Sequence, residues 1–425
     1  MDQTLQDAAR KLLGYCRAQD WAGYDPYDAV NSPCFDALPG FNHRWPRLIA
    51  TQLLKRSPVN LRSLLAIPKK QNPKALGLFL SALLKLSGLG LAPEEEASGM
   101  VDRIEALRSP GLSHYAWGYS FPWQTRTIVV PAGAPNLVCT TFVAGSLLDA
   151  YEQRGEARAL AMARSAAEYI LQQLYWEEGE ACGFSYPQPG LKTRVHNSNL
   201  LAAALLCRVH HHSGEEKFLA PALRVARYSA GQQRRDGSWP YGEAPTQGWI
   251  DNFHTGYNLG ALRDLGRYTR SAEFEPCLRK GLAFYRQHFL LPGGAVRYFH
   301  DRTYPIDIHC VAQSILTLAA FRDLDPENLP RAEGVAAWAM GHMWDERGFF
   351  YYRVLRLGTI RTSYMRWSQA WMLLAVSTLL DCLAWGPGEK GQLHHHRLAP
   401  PPAGSEPGRL GEEPEPQSCA VDSGK

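Results

Sequence analysis

Apolar positions along this chain recur mostly at the helical spacing of i, i+3, i+4 and i+7, and strand-like alternation is scarce. Two kinds of helical stretch take turns. Amphipathic ones cover 2–17, 157–174, 216–233 and 272–289. Between them lie segments apolar on most sides: KALGLFLSALLKL (74–86), VCTTFVAGSLLDAY (138–151), SNLLAAALLCRV (198–209), TGYNLGALRDL (255–265), CVAQSILTLAAF (310–321) and QAWMLLAVSTLLDCL (369–383). A helix that is apolar nearly all round is buried nearly all round. The pattern therefore predicts half-exposed helices alternating with buried ones.

Each buried segment is entered through a polar or aromatic residue: Asn72, Asn136, His196, His254, His309 and Trp367, spaced 64, 60, 58, 55 and 58 residues apart. About 58 residues hold two helices and two connections. Six such units set in a ring put six buried helices inside and six amphipathic helices outside, an all-α (α/α)6 toroid. The competing arrangement is an open solenoid, which needs polar capping repeats at its ends. All six inner segments are equally apolar, which favours the ring. Residues 71–385 form the expected toroid, and residues 1–70 are expected to add helices and a loop packed on it. Residues 386–425, rich in Pro, Gly and charge, are expected to be a disordered tail.

Composition narrows the function classes. The 425 residues carry 45 Lys+Arg against 41 Asp+Glu, a net charge of +4, and no long basic run argues for nucleic acid. No stretch of about 18 residues is continuously apolar, so no membrane span is expected. The N-terminus lacks the basic start and apolar core of a signal peptide. Nine scattered cysteines without a CxxC pair fit reduced thiols and a cytoplasmic setting.

The entries to the inner helices converge at one end of a ring, and five of the six are loaded with aromatic and polar residues, in seven segments. They read WGYSFPWQTR (117–126), PAGAPN (131–136), RVHNSN (194–199), DGSWPYGE (236–243), GWIDNFHTGYN (248–258), YFHDRTYPIDIHC (298–310) and RTSYMRWSQAW (361–371). A sugar ring offers an apolar C–H face to an aromatic ring and a rim of hydroxyls to polar groups. The candidate ligand wall is accordingly Trp117, Trp123, Arg126, Asn136, His196, Asn197, Trp239, Tyr241, Trp249, Tyr304, Arg366, Trp367 and Gln369. Arg126, Arg194 and Arg366 would suit the carboxylate of a uronic acid. Asp251, His254 and Tyr257, with Asp307 and His309 one repeat later and Glu243 nearby, form the candidate acid–base set. Asp251 and Asp307 are equally suited to N-capping. A zinc reading from Asp251, His254, Asp307, His309 and Cys310 lacks any signature spacing, so no metal and no cofactor is expected.

Two resemblances add to this. Gln233, Asp236, Gly237 and Trp239 match the QxxDGxW repeat of triterpene cyclases, where Gln and Trp tie neighbouring outer helices. The chain lacks the DxDD and DDxxD motifs of terpene chemistry. More widely, the helix alternation and residues 236–258 resemble the α/α-toroid superfamily of six-hairpin glycosidases, polysaccharide lyases and glucuronyl epimerases. The phrases YDPYDAVNS, NPKALGLF, WGYSFPWQ and WIDNFHTGYNL are similar to uncharacterised bacterial proteins that accompany capsule and exopolysaccharide biosynthesis. The resemblance implies a polysaccharide or its precursor as substrate and other biosynthesis proteins as partners. Three functions are therefore in play. One is an acid–base enzyme acting on a glycan as hydrolase, lyase or C5-epimerase, another a non-catalytic glycan-binding or scaffold protein, and the third a terpenoid cyclase-like enzyme.

Overall fold

The computed structural model describes residues 2–385, so the expected tail lies outside the described residues. In chain order the helices are α1 (Asp2–Ala18), the short α2 (Pro33–Asp36), α3 (Arg44–Arg56), α4 (Pro73–Gly88), α5 (Glu94–Ala106), α6 (Leu137–Arg154) and α7 (Ala157–Tyr169). There follow α8 (His196–Ser213), α9 (Leu219–Gly231), α10 (Asn252–Thr269), α11 (Glu275–Phe289), α12 (Ile308–Ala320), α13 (Asn328–His342) and α14 (Trp371–Ala384).

The even-numbered helices from α4 to α14 form the inner wall. Each packs on the next, and α14 packs back on α4, which closes the ring. Helices α5, α7, α9, α11 and α13 each lie against the inner helix they follow, and α1 lies against α14. The N-terminal helix thus fills the sixth outer position, and the last hairpin joins the two ends of the described chain. This is the (α/α)6 toroid that the repeat predicts, with no polar end repeat because there is no end.

Polar side chains cap four of the six inner helices at the end where these helices start. Asn72 accepts from the Lys74 amide, Asn136 from Cys139, Asp251 from His254 and Asp307 from His309. Gly155 and Gly214 close α6 and α8 in the left-handed region at φ 70° and 71°. The α14 wall begins with a π-helical turn, Met365–Ala370, in which the Gln369 amide reaches back to Tyr364 O at 3.2 Å. Met365–Ala384 is long and apolar enough by composition to cross a membrane, but it is mostly buried, as the sixth inner strut.

The QxxDGxW match does the architectural work its resemblance implies. Gln233 donates to Cys277 O on α11 at 2.9 Å, tying it to the end of α9. Trp239 donates to Ser229 O on α9 and packs where Gly281 of α11 leaves room.

The entry loop 117–136 depends on a close approach at Gly118, where a Cβ would lie 1.8 Å from Ala134 O. Gly118→Ala is expected to lower stability by about 1–3 kcal/mol through forced backbone movement. Urea denaturation would register this as an earlier midpoint at unchanged m-value.

Candidate active site

Two N-cap aspartates anchor the polar mouth of the ring. Asp251 is buried, and its Oδ1 takes the His254 amide at 3.0 Å. Its Oδ2 accepts from the Trp249 indole at 3.0 Å and pairs with His254 Nδ1 at 2.7 Å. Holding Nδ1–H in this way fixes the tautomer and leaves the lone pair of a neutral imidazole on Nε2. The His254 side chain is 21% exposed, and no hydrogen bond to Nε2 forms among the described residues. A capping residue therefore also orients a base, because i and i+3 share one helix face.

On the next inner helix, Asp307 caps α12 and is fully buried. It takes the His309 amide at 2.9 Å, the Trp367 indole at 2.8 Å and an ion pair from Arg353. The pairing of Ile306–Asp307 with Arg353–Leu355 sets Asp307 opposite Arg353, so strand register delivers the guanidinium. Each carboxylate is engaged by three groups of the protein.

His309 lies between Phe253 and Trp371, with ring centroids at 4.5 Å on both sides. Its Nε2 meets the Tyr257 hydroxyl at 2.7 Å, while its buried Nδ1 has no partner. Burial, helped by Lys74, Arg366 and His254, pushes His309 well below the usual histidine range. Burial likewise raises Tyr257 well above the ordinary phenol value. The pair is thus held as a protonated phenol against a neutral imidazole, with burial disfavouring the charged form of each.

Phe253 bridges the two halves. Its ring centroid lies 4.1 Å from His254 and 4.5 Å from His309. Outward from His254, Tyr241 stacks on Trp249 at 4.5 Å and 14°, and Arg126 lies over the Trp249 ring at 4.7 Å. Trp367 faces His309 at 4.6 Å, and Tyr304 is exposed nearby in sequence to the Asp307 cap. Asn197 lines a small cavity with Tyr241, Asp251 and His254, with its Oδ1 unpartnered. These residues make a face of aromatic rings with polar edges. A cavity of about 400 Å³ lies between the inner helices, lined by Phe142, Tyr257 and Trp371 and, toward the C-terminal ends of those helices, by Asp149, Arg208 and Asp264.

Other sequence candidates stand elsewhere or are already engaged. Trp117 is fully buried, and its indole donates to Ile104 O on α5, so it plugs the ring behind the wall. Trp239 has the architectural role described above. Both ends of the Asn136 amide are used, by Cys139 N and Pro187 O, and Gln369 spans the Phe350 backbone in the same way. Glu243 accepts from Tyr228 on α9 and pairs with Arg194, so neither is free for substrate. Arg366 spends its fork on Asp25, at 2.7 and 2.8 Å. His196 is buried with neither ring nitrogen partnered, and burial pushes it down to about 4. Trp123 is half-buried beside Tyr119, its indole nitrogen also unpartnered. No group of three or more His, Cys, Asp or Glu side chains among the described residues is arranged to hold a metal ion.

The site also holds residues that sequence reasoning missed. Lys55 reaches in from α3, donates to Tyr27 at 2.7 Å and sits 5.8 Å from the Trp367 ring centroid. Burial lowers its ammonium to about 7 from the ordinary 10.5, with Arg353 lowering it further and Asp307 opposing. Lys74, buried at the start of α4, lies 4.0 Å from the Phe142 ring centroid. Because the folded-state value of Lys55 lies below that of the unfolded chain, folding disfavours its protonated form. Stability therefore falls as pH drops from 10.5 to about 7 and is flat below. Lys55→Met should remove this slope, so its melting temperature should gain on the wild type across that window and no further. Thermal scans at several pH values would check it.

No family model matches the chain, and no curated protein matches it. Solved structures do. A cellobiose 2-epimerase from Bacillus thermoamylovorans aligns at TM-score 0.62 and 11% identity, over 90% of this chain and 99% of the other. A polysaccharide lyase aligns at 0.57 and 11% identity, over 90% and 98%. A family 76 glycoside hydrolase, an alpha-mannanase from Bacteroides thetaiotaomicron, aligns at 0.56 and 13% identity, over 73% and 85%. Lengths agree and sequences do not, so what is shared is the architecture. By fold, the chain is an (α/α)6 toroid, the architecture it shares with these structures.

Proposed function

We propose that the chain is a carbohydrate-active enzyme that moves a proton at a sugar carbon, by epimerisation or elimination, with His254 as base and the Tyr257–His309 pair as the second proton-handling group. The observation that carries this is the Asp251–His254 dyad, whose Nε2 is left unpartnered beside an aromatic wall. An imidazole held by a carboxylate through Nδ1 presents Nε2 as a general base. The Tyr257 hydroxyl, one inner helix turn away, can return a proton or stabilise a developing oxyanion. Tyr241, Trp249 and Trp367 would hold the sugar's apolar face, and Arg126 would meet its polar or anionic edge.

Hydrolysis fits less well. It requires one carboxyl to protonate the leaving group and another to act as base or nucleophile. Asp251 and Asp307 are buried and each is engaged by three groups of the protein. The fold neighbours include an epimerase, a lyase and a hydrolase by name, and they support a carbohydrate substrate in general. A surface polysaccharide or its precursor, handled with other biosynthesis proteins in the cytoplasm, is the context that the sequence resemblance suggests.

The test is incubation of the purified protein with neutral and uronic-acid oligosaccharides in D₂O. Deuterium entering a sugar C–H, or ultraviolet absorbance from an unsaturated product, is the expected result. New reducing ends with neither signal would overturn the proton-transfer reading in favour of hydrolysis.

A further inference from the structure

The segment leading into the ring carries a surface that the site does not use. From 37 to 93 the chain contains no Asp or Glu, while 37–72 contains seven Lys and Arg. Two of these, Lys55 and Arg62, point inward: Lys55 to Tyr27, and Arg62 to Asp28 at 2.7 Å. The other five make no ion pair among the described residues. A chain with 41 acidic residues has left this stretch without one.

Apolar exposure is concentrated on the same segment. Seven of the eleven exposed large hydrophobic side chains fall between 38 and 64. On α3, Trp45 (65% exposed), Ile49 (57%) and Leu53 (66%) recur every four residues and so share one face, and Val59 and Leu64 are exposed in the loop that follows. Arg44 and Arg56, both exposed, stand at the two ends of that helix. Leu54 and Lys55 occupy the opposite, buried face. The helix is thus fixed to the toroid on one side and bare on the other.

We infer that this face of α3 seats the enzyme on an anionic phospholipid surface. The occupant follows from the combination on the page. An apolar stripe with a tryptophan at one end, basic residues at both ends and no acidic residue in the helix is the composition of a helix lying in a bilayer interface. The uncompensated positive charge complements anionic headgroups. A face buried by a second copy would bring two such unpaired positive segments together, which like charge opposes. Because Lys55 of the same helix reaches the Trp367–Asp307 side of the site, docking would set the mouth of the ring at the membrane. The inference holds whatever reaction the site performs.

Vesicle flotation with the full chain tests it. The protein should float with vesicles of phosphatidylcholine containing about one third phosphatidylglycerol, remain behind with phosphatidylcholine alone, and be released by about 0.5 M salt. R44Q/R56Q should weaken binding roughly twenty- to thirtyfold, at about fivefold per charge. W45A/I49A/L53A should abolish flotation. R267Q/R270Q, the same charge removed at the far end of α10, should leave it unchanged. All are exposed positions, so melting temperatures should stay near wild type. Absence of flotation on anionic vesicles at low salt would overturn the inference, as would equal flotation of all variants. Conversion of a dimer to a monomer by W45A/I49A/L53A, seen by light scattering without any vesicle effect, would overturn it too and assign the face to self-association.

Discussion

His254→Gln should lower turnover by roughly 10²–10⁴-fold while leaving the fold intact, because it removes the base and replaces a partly exposed ring with a side chain of similar length. The side chain is partly exposed, and its hydrogen bonding runs through a single ring nitrogen to Asp251. Asp251→Asn should cost activity by a similar order through a different route. The amide can still cap α10 through its oxygen, but it can no longer both accept from Trp249 and hold His254 Nδ1–H in place. Loss of a carboxylate behind a histidine misplaces the proton, and the known cost of that change is large. The two variants should be non-additive, since each disables one unit. Single-turnover rates on whichever sugar exchanges deuterium, with melting curves alongside, would check this. If His254→Gln stayed within a few-fold of wild type while Asp251→Asn and Asp307→Asn were inactive, the carboxylates would be the chemical groups and the dyad reading would fail.

Much of this arrangement is visible in the sequence because helix periodicity is a local signal. The six entries and their near-constant spacing follow from buried inner helices alone, and Asp251, His254, Tyr257, Asp307 and His309 fall at cap positions and on the first turns of two of them. Capping and catalysis there are two uses of one carboxylate, which is why sequence could not separate them. What it could not show were contacts between distant segments. Arg353 reaches Asp307 through strand register, and Lys55 enters from a segment whose helix-to-ring packing leaves no periodic mark. Aromatic residues misled in the opposite direction. Trp117 and Trp239 look like Trp249 in sequence, but their indole donors are taken by backbone carbonyls of outer helices. Position in the ring separates a core tryptophan from a ligand wall, and residue type does not. Similarly, Arg366 reads as a free carboxylate binder until Asp25, 341 residues away, is placed against it.

That last pair leads to the largest stability effect expected. Asp25 and Arg366 are both buried and joined by two hydrogen bonds, with the Arg366 guanidinium also 4.7 Å from the Tyr119 ring centroid. The pair exists because Tyr24 and Tyr364 form a parallel bridge and the Met365 amide donates to Tyr24 O, which lays the 24–28 loop along the π turn of α14. Asp25→Ala leaves a buried cation without its partner, a change that typically costs about 3–5 kcal/mol. Replacing both members, D25A with R366M, removes the orphaned charge as well and should cost less than D25A alone. A double-mutant cycle by urea denaturation would reveal that coupling directly. The same loop carries Tyr27, which holds Lys55, and Asp28, which holds Arg62. Asp25→Ala should therefore also loosen α3 over the mouth, visible as faster amide exchange in 44–56 than in the inner helices. A cost below about 1 kcal/mol, with exchange unchanged, would mean that the loop is held by its apolar contacts and that the ion pair is dispensable.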